Sequence, residues 1–227
     1  MKINKLKFLS TVVALLMLFA FTACDTAENN NATVSLTFSK GSALLKTVAD
    51  AIVLDTVKIL IRDIKIKNQN GKDSSSIKVG PYIIYLNLTA NTTDFAIGSI
   101  PAGSYDRIKF EIHKIEASET LSDPEFREGT DESLRYSVIV KGKYNTVPFI
   151  YKSRKSAKQD LKLENPVTFD ENGVANLTIF VDPFTWFADS SNTLDPTNPA
   201  NESNIDNNIK ESFKKAFRDN NHDGNED

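Results

Sequence analysis

Arg107-Ile108-Lys109-Phe110-Glu111-Ile112-His113 alternates polar and apolar residues without a break, and this stretch decides the fold class. A period of two puts Ile108, Phe110 and Ile112 on one face of a strand and Arg107, Lys109, Glu111 and His113 on the other. One face is therefore dry and the other wet, with His113 expected as a solvated side chain. The same period extends outward along the chain. Val34, Leu36 and Phe38 alternate with Ser35 and Thr37, and Ile84, Leu86 and Leu88 form another run. Val57, Ile59 and Ile61 begin a longer run whose apolar phase slips to Ile64 and Ile66 around Arg62-Asp63, which predicts a β-bulge or a strand that changes sheets. Tyr136, Val138 and Val140 are expected to pair with Val147, Phe149 and Tyr151 across a turn within 142–145. Leu161 and Val167 should pair with Ala175, Leu177, Ile179 and Val181 across Asp170-Glu171-Asn172-Gly173. Residues 42–51 read as a short inserted helix.

Short strands separated by Gly, Pro, Asn and Asp turns predict a mainly β fold, an antiparallel sandwich over residues 32–182, rather than alternating βα units. Ala32-Thr33-Val34-Ser35-Leu36-Thr37, the run from Val57 to Lys67, and Ile100-Pro101-Ala102-Gly103-Ser104-Tyr105 leading into Ile108-Lys109-Phe110 resemble a family of uncharacterised bacterial surface lipoproteins. That resemblance implies an immunoglobulin- or transthyretin-like β-sandwich and a surface location, and no activity.

The N-terminus carries an address. Lys2, Lys5 and Lys7 precede an almost unbroken apolar run from Phe8 to Phe21, and Phe21-Thr22-Ala23 leads into Cys24, the only cysteine of the chain. The segment resembles bacterial lipoprotein precursors, which implies removal of residues 1–23 and acylation of Cys24 as the new N-terminus. The resemblance further implies a covalent lipid on Cys24, with the bilayer as partner through the acyl anchor. The location it implies is the extracytoplasmic side of a bacterial envelope, with the outer membrane favoured. Each buried CH₂ of such a lipid contributes about 0.8 kcal/mol. Residues 24–31 then read as the lipidated Cys and a flexible polar tether. The 27 basic residues lose Lys2, Lys5 and Lys7 with the signal while all 30 acidic residues stay, which moves the net charge from -3 to -6. An acidic surface argues against nucleic acid. With no second cysteine, a packed core rather than disulfides must hold the fold.

Residues 183–227 read as an aromatic turn, a polar loop, a docking helix and a calcium-type tail. Pro183-Phe184-Thr185-Trp186-Phe187 forms the turn, and Trp186 is expected to pack rather than to stack on a sugar. Ser203 as N-cap with Asp206 three residues on makes a capping box. Ile205, Ile209, Phe213 and Phe217 fall at intervals of four and predict one apolar stripe, with Lys210, Lys214, Lys215 and Arg218 loading the C-terminal half. The chain closes on Asp219-Asn220-Asn221-His222-Asp223-Gly224-Asn225-Glu226-Asp227. Oxygen side chains at alternate positions followed by a turn-forming Gly can converge on one hard cation. The stretch resembles the Asp-x-Asp-x-Asp-Gly-x-x-Asp calcium repeats of thrombospondin-type and bacterial surface proteins. Carried onto this chain, the resemblance gives Asp219, Asn221 and Asp223 as side-chain ligands, Asn225 through its carbonyl, and Asp227 closing a calcium site.

No nucleophile elbow, phosphate loop or zinc set is legible in the chain, and no catalytic residue is expected. Asp123, Glu125, Glu128, Asp131 and Glu132 form an acidic loop, expected to be solvated. The expected function is a non-catalytic binding or adhesion module for glycan or another surface protein. Two alternatives stay open. One is a polysaccharide hydrolase using two carboxylates of 123–132; the other is a structural subunit of a surface assembly.

Overall fold

The strands read from the alternation are present, although the one expected at Ile84, Leu86 and Leu88 is Tyr82–Tyr85 and ends before Leu86, and what the alternation does not convey is the order in which strands pair. The computed structural model describes residues 31–39, 52–68, 74–190 and 192–227. The expected signal segment, Cys24, the tether expected up to residue 31 and the helix expected at 42–51 lie wholly or almost wholly outside them. The strands are β1 Asn31–Ser39, β2 Ile52–Asn68, β3 Ser74–Lys78, β4 Tyr82–Tyr85, β5 Thr92–Pro101, β6 Gly103–Ile112, β7 Val138–Tyr144, β8 Val147–Ser153, β9 Ala157–Phe169, β10 Val174–Phe180, the short pair β11 Ala188–Asp189 and β12 Asn192–Thr193, and β13 Lys215–Arg218. Among the described residues one α-helix, α1, spans Glu202–Glu211. The main sheet runs β5-β1-β10-β13-β9-β6-β2-β7-β8, with β3 and β4 also on β2. It is a curled, mixed sheet and not the expected all-antiparallel one, because β1 lies parallel to β10 and β13 parallel to β9.

β2 sets the curl. Its residues 52–59 pair with β7 and its residues 61–68 with β6, while β4 and β3 take the other edge. The change falls at the expected bulge: the register shifts between Arg62 and Lys65, and Asp63 takes φ +58°. Asp is among the few residues that accept this left-handed region. A second shift, between Leu54 and Thr56, brings Val53 against Gly142, where a Cβ would stand 2.0 Å from the Val53 carbonyl oxygen. Only glycine fits there. The β7–β8 hairpin closes at Asn145 and Thr146, both with positive φ, a few residues later than the sequence suggests.

The dry faces meet in one core that includes Val34, Leu36, Ile59, Ile66, Ile108, Leu177 and Ile179, all under 2% exposed. Burying each such side chain stabilises by roughly 1.5–3 kcal/mol. A satellite core of Leu60, Ile115, Phe126, Tyr136 and Ile139 forms beneath residues 113–137, the excursion that leaves β6 and returns as β7.

The C-terminal region departs most from expectation. β9 and β10 keep their turn at 170–173, where Gly173 N–H donates to Asp170 O, but they do not pair along the expected ladder, since β13 sits between them. The boundary expected at residue 182 therefore does not divide the sheet. The helix is shorter than the apolar stripe suggested. Ser203 and Asp206 do not form the capping box. The helix starts one turn after Pro199, with Asn201 as N-cap and no side-chain cap bond. It stops where the Ser212 hydroxyl donates back to the Ile209 carbonyl, a side-chain bond that competes with continuing the helix. Ile205 and Ile209 are buried on the helix, but Phe217 is buried on β13 and Phe213 in the connection between them. Lys214, Lys215 and Arg218 accordingly lie outside the helix. The docking itself is as expected: Trp186 is fully buried, and its indole N–H donates to Ser212 Oγ at 2.8 Å.

Candidate functional site

The acidic loop is a lattice of ion pairs laid over β2, β7 and β8. Lys58 on β2 pairs with Asp123 at 2.5 Å and with Glu125 at 2.8 Å. Glu125 also takes Lys141, Glu128 takes Lys152 and the Tyr136 hydroxyl, and Lys114 reaches Glu132 at 2.6 Å. Asp123 and Asp131 each cap a 3₁₀ turn, accepting from Glu125 N and Ser133 N. Burial opposes ionisation of Asp123, yet Lys58, the Glu125 N–H and the Tyr85 hydroxyl together hold its carboxyl below the ordinary range. Lys141 and Lys58 lower Glu125, Lys152 and Tyr136 lower Glu128, the Ser133 backbone lowers Asp131, and Lys114 lowers Glu132. All five are poised as carboxylates. The loop is thus not freely solvated, and none of its acids is tuned upward as a proton donor would be.

His113 is the clearest correction. It is 2% exposed rather than solvated, because the 113–137 excursion folds over the end of β6. Its Nε2 stands 2.6 Å from Glu119 Oε2, which also accepts from Glu116 N at 2.7 Å, while Nδ1 has no partner. His113, Glu116 and Glu119 are, among the described residues, the one group of three His, Cys, Asp or Glu side chains with ligand atoms within 4.8 Å of one another. Arg62 already supplies the positive charge: its guanidinium lies 2.9 Å from Glu116 Oε1, 3.0 Å from Glu111 Oε2 and 3.6 Å from Glu119 Oε1. Burial of Glu119 is outweighed by the Glu116 N–H, His113 and Arg62, so its carboxyl is lowered. A metal would have to displace this guanidinium. The apolar residues Ile115, Leu121 and Phe126 inside a loop otherwise rich in charge are the sequence signal that this segment builds a core of its own.

The C-terminal loop is ordered against the sheet, but its carboxylates do not converge. Asp219 is fully buried. Its Oδ2 accepts from the Thr178 hydroxyl at 2.8 Å and from Gly224 N at 3.0 Å, and its Oδ1 from Asp223 N at 3.1 Å. Asn221 Oδ1 accepts from Asp223 N, Asp223 Oδ1 from Asn225 N and Nδ2, and Asp227 Oδ2 from Asn220 N. Gly224, at φ +87°, approaches Ser39 so closely that a Cβ would meet its hydroxyl at 2.8 Å. Asp219, Asp223 and Asp227 are not brought within metal-ligand distance of one another.

This loop explains why polar residues of β1 and β10 are buried. Thr37, Ser39, Asn176 and Thr178 are 0–3% exposed although they alternate with the core positions. Ser35 Oγ donates to Asn176 Oδ1, Asn176 Nδ2 to Thr37 Oγ1, Thr178 Oγ1 and the Asp219 carbonyl, and the Thr37 and Thr178 hydroxyls bond to each other. Every member has a partner, which is what a buried polar network requires.

No family model matches the chain, and no curated protein matches it. A solved structure does. MbnP from Methylosinus trichosporium aligns over 74% of this chain and 81% of that one, with a TM-score of 0.42 and 11% identity. Likeness at that level carries no inference about a ligand or an activity. Among the described residues, no helix is long and apolar enough to cross a membrane.

Proposed function

We propose that the chain is a lipid-anchored extracytoplasmic lipoprotein that serves as a non-catalytic binding or adhesion module for glycan or protein. The carrying observation is the distance along the chain from Cys24 to the first described strand. β1 begins at Asn31, seven residues after Cys24, so a fully extended link spans no more than about 25 Å. β1 is also an interior strand, between β5 and β10, so an anchor at Cys24 would pull on the sheet itself. The curled sheet closing on one core supports the sandwich reading, of the immunoglobulin or transthyretin kind. The lowered carboxyls of 123–132 favour a binding surface over the hydrolase alternative, which needs one carboxyl held protonated. Calcium in the C-terminal loop belongs to the same proposal. Asn221, Asp223 and Asp227 are exposed, and occupation requires these side chains to draw in around the pinned Asp219.

Fractionation of cells expressing Cys24→Ser tests the anchor. The variant should leave the membrane fraction and remain folded by circular dichroism. Retention of the folded variant on membranes would defeat the proposal.

A further inference from the structure

The chain carries a net charge of -3, yet the outer face of the sheet is basic where β2, β6 and β9 run side by side. Cross-strand register puts Lys67, Arg107 and Lys162 in one row and Lys65, Lys109 and Asp160 in the next, and Lys158 follows in a third row, opposite Glu111. These side chains point away from the core, since they alternate with the buried Ile66, Ile108 and Leu161. The three strands and three rows span only about 10 Å by 14 Å. Asp160 pairs with Lys109 at 2.5 Å and with Arg107 at 3.3 Å, Glu111 is taken by Arg62 at 3.0 Å, and Glu164, beyond Lys162, by Lys215 at 2.8 Å. Among the described residues, Lys65, Lys67, Lys158 and Lys162 make no ion pair. Like charges directly opposite each other on neighbouring strands destabilise a sheet, and a row of three carries that cost twice. We propose that this face lies against the anionic headgroups of a bilayer, the one in which Cys24 would be anchored.

Three observations select this partner. The cations are mostly lysines, point charges on flexible stems that can follow a fluid layer of headgroups without a fixed geometry, and no aromatic side chain stands in these rows to stack on a sugar. The face is also within reach of the anchor. Asn31 pairs with Pro101 at the end of β5, and β6 starts two residues later at Gly103, so Arg107 stands no more than about 26 Å from Asn31. The extended link from Cys24 to Asn31 is about as long, so the face can lie flat on the bilayer that holds the lipid. Lastly, the acids of 123–132 are too far along the sheet to cancel the row. They stand over Lys58, about 30 Å along β2 from Lys67, whereas charges in physiological salt are screened within about 8 Å. Each Lys or Arg near an anionic membrane surface is worth about fivefold in affinity. The proposal rests on the anchor reading for which bilayer is met, and the face itself is testable without an acyl chain.

Vesicle co-sedimentation of residues 24–227 carrying Cys24→Ser tests it, since this form keeps every described residue and carries no lipid. It should bind vesicles of phosphatidylcholine mixed with phosphatidylglycerol at about 0.1 M salt, leave them at about 1 M, where the screening length falls to about 3 Å, and ignore pure phosphatidylcholine. Lys67→Gln, Arg107→Gln and Lys162→Gln together should weaken binding about a hundredfold. Lys143→Gln, Lys210→Gln and Lys214→Gln make the same change in net charge on exposed lysines elsewhere and should leave binding within about threefold. The row variant should melt no lower than its parent, because like charges have been removed from facing positions. Equal weakening by the two triple variants would overturn the proposal, as would absence of binding to the anionic vesicles at about 0.1 M salt, even where cell fractionation supports the anchor at Cys24. Retention on dextran sulfate without vesicle binding would overturn it in favour of an anionic polysaccharide. A row variant that melts below its parent would show that the row serves the fold instead.

Discussion

Asp219→Ala isolates the role of the C-terminal loop. Asp219 accepts three hydrogen bonds while fully buried, from Thr178 Oγ1, Gly224 N and Asp223 N. Alanine removes all three. Asp223 N keeps a second acceptor in Asn221 Oδ1, but Gly224 N and the Thr178 hydroxyl lose theirs. Each stranded donor costs about 1–3 kcal/mol, and the Thr178 hydroxyl can rotate, so the expected loss is roughly 2–5 kcal/mol. In a domain of this size that corresponds to a fall in Tm of roughly 2–4 °C per kcal/mol. Asp219→Asn should lose less, about 1 kcal/mol, since it retains one acceptor for the backbone donors. Equilibrium urea unfolding in the presence of a chelator measures these losses, with an unchanged slope showing that the unfolded state is the same. Repeating the series in millimolar calcium separates pinning from coordination. If the loop takes calcium, the wild type gains stability and the exposed Asp223→Ala does not, although its stability in chelator stays near wild type. An Asp219→Ala protein within about 1 kcal/mol of wild type in chelator would refute the pinning argument.

Gly142→Ala should be among the most damaging single-methyl additions, because the new carbon would stand 2.0 Å from Val53 O in the middle of the β2–β7 ladder. A loss of about 3 kcal/mol or more is expected in urea unfolding, against under 1 kcal/mol for an alanine on an open surface. The pH dependence should show two opposing classes of carboxyl. Asp123, Glu125 and Glu128 are lowered in the fold, so they stabilise it above the unfolded value near pH 4 and lose that contribution as pH falls through their folded values. Asp206 and Asp182 are raised by burial, so their penalty is absent below about pH 4 and full above their folded values. The chain should therefore unfold more easily below pH 4. Asp206→Asn should be more stable than wild type at pH 7, with the difference closing toward pH 4 in parallel melts.

The local elements were legible in the sequence because each depends on near neighbours. The alternation at 107–112, the phase slip at Arg62-Asp63 and the turn at 170–173 are properties of a few consecutive residues, and all three are present. His113 was misread because the alternation that placed it ends with Ile112, and its burial depends on a loop that returns from residue 137. Phe213 and Phe217 were misread because a spacing of four fits a helix and is also met by a connection running into a strand. What stops the helix is the Ser212 hydroxyl, held on one side by Trp186, a residue 26 positions away. Asp219 was read as a metal ligand from its spacing to Asn221 and Asp223. Its burial comes from Thr178 and Asn176, which no local pattern connects to it.

The pairing order carries a consequence for how the chain reaches this structure. β1, the first described strand, lies parallel to β10, more than 130 residues later, and β13, in the last dozen or so residues, separates β10 from β9. β1 therefore cannot complete its parallel ladder until β10 has been made, and pairings of such long range form late and slowly. The polar network of Thr37, Asn176, Thr178 and Asp219 is likewise of long range, since its hub Asp219 lies eight residues before Asp227. Before that hub arrives, Thr178 and Asn176 have water rather than Asp219 as partner, and the face they occupy stays open.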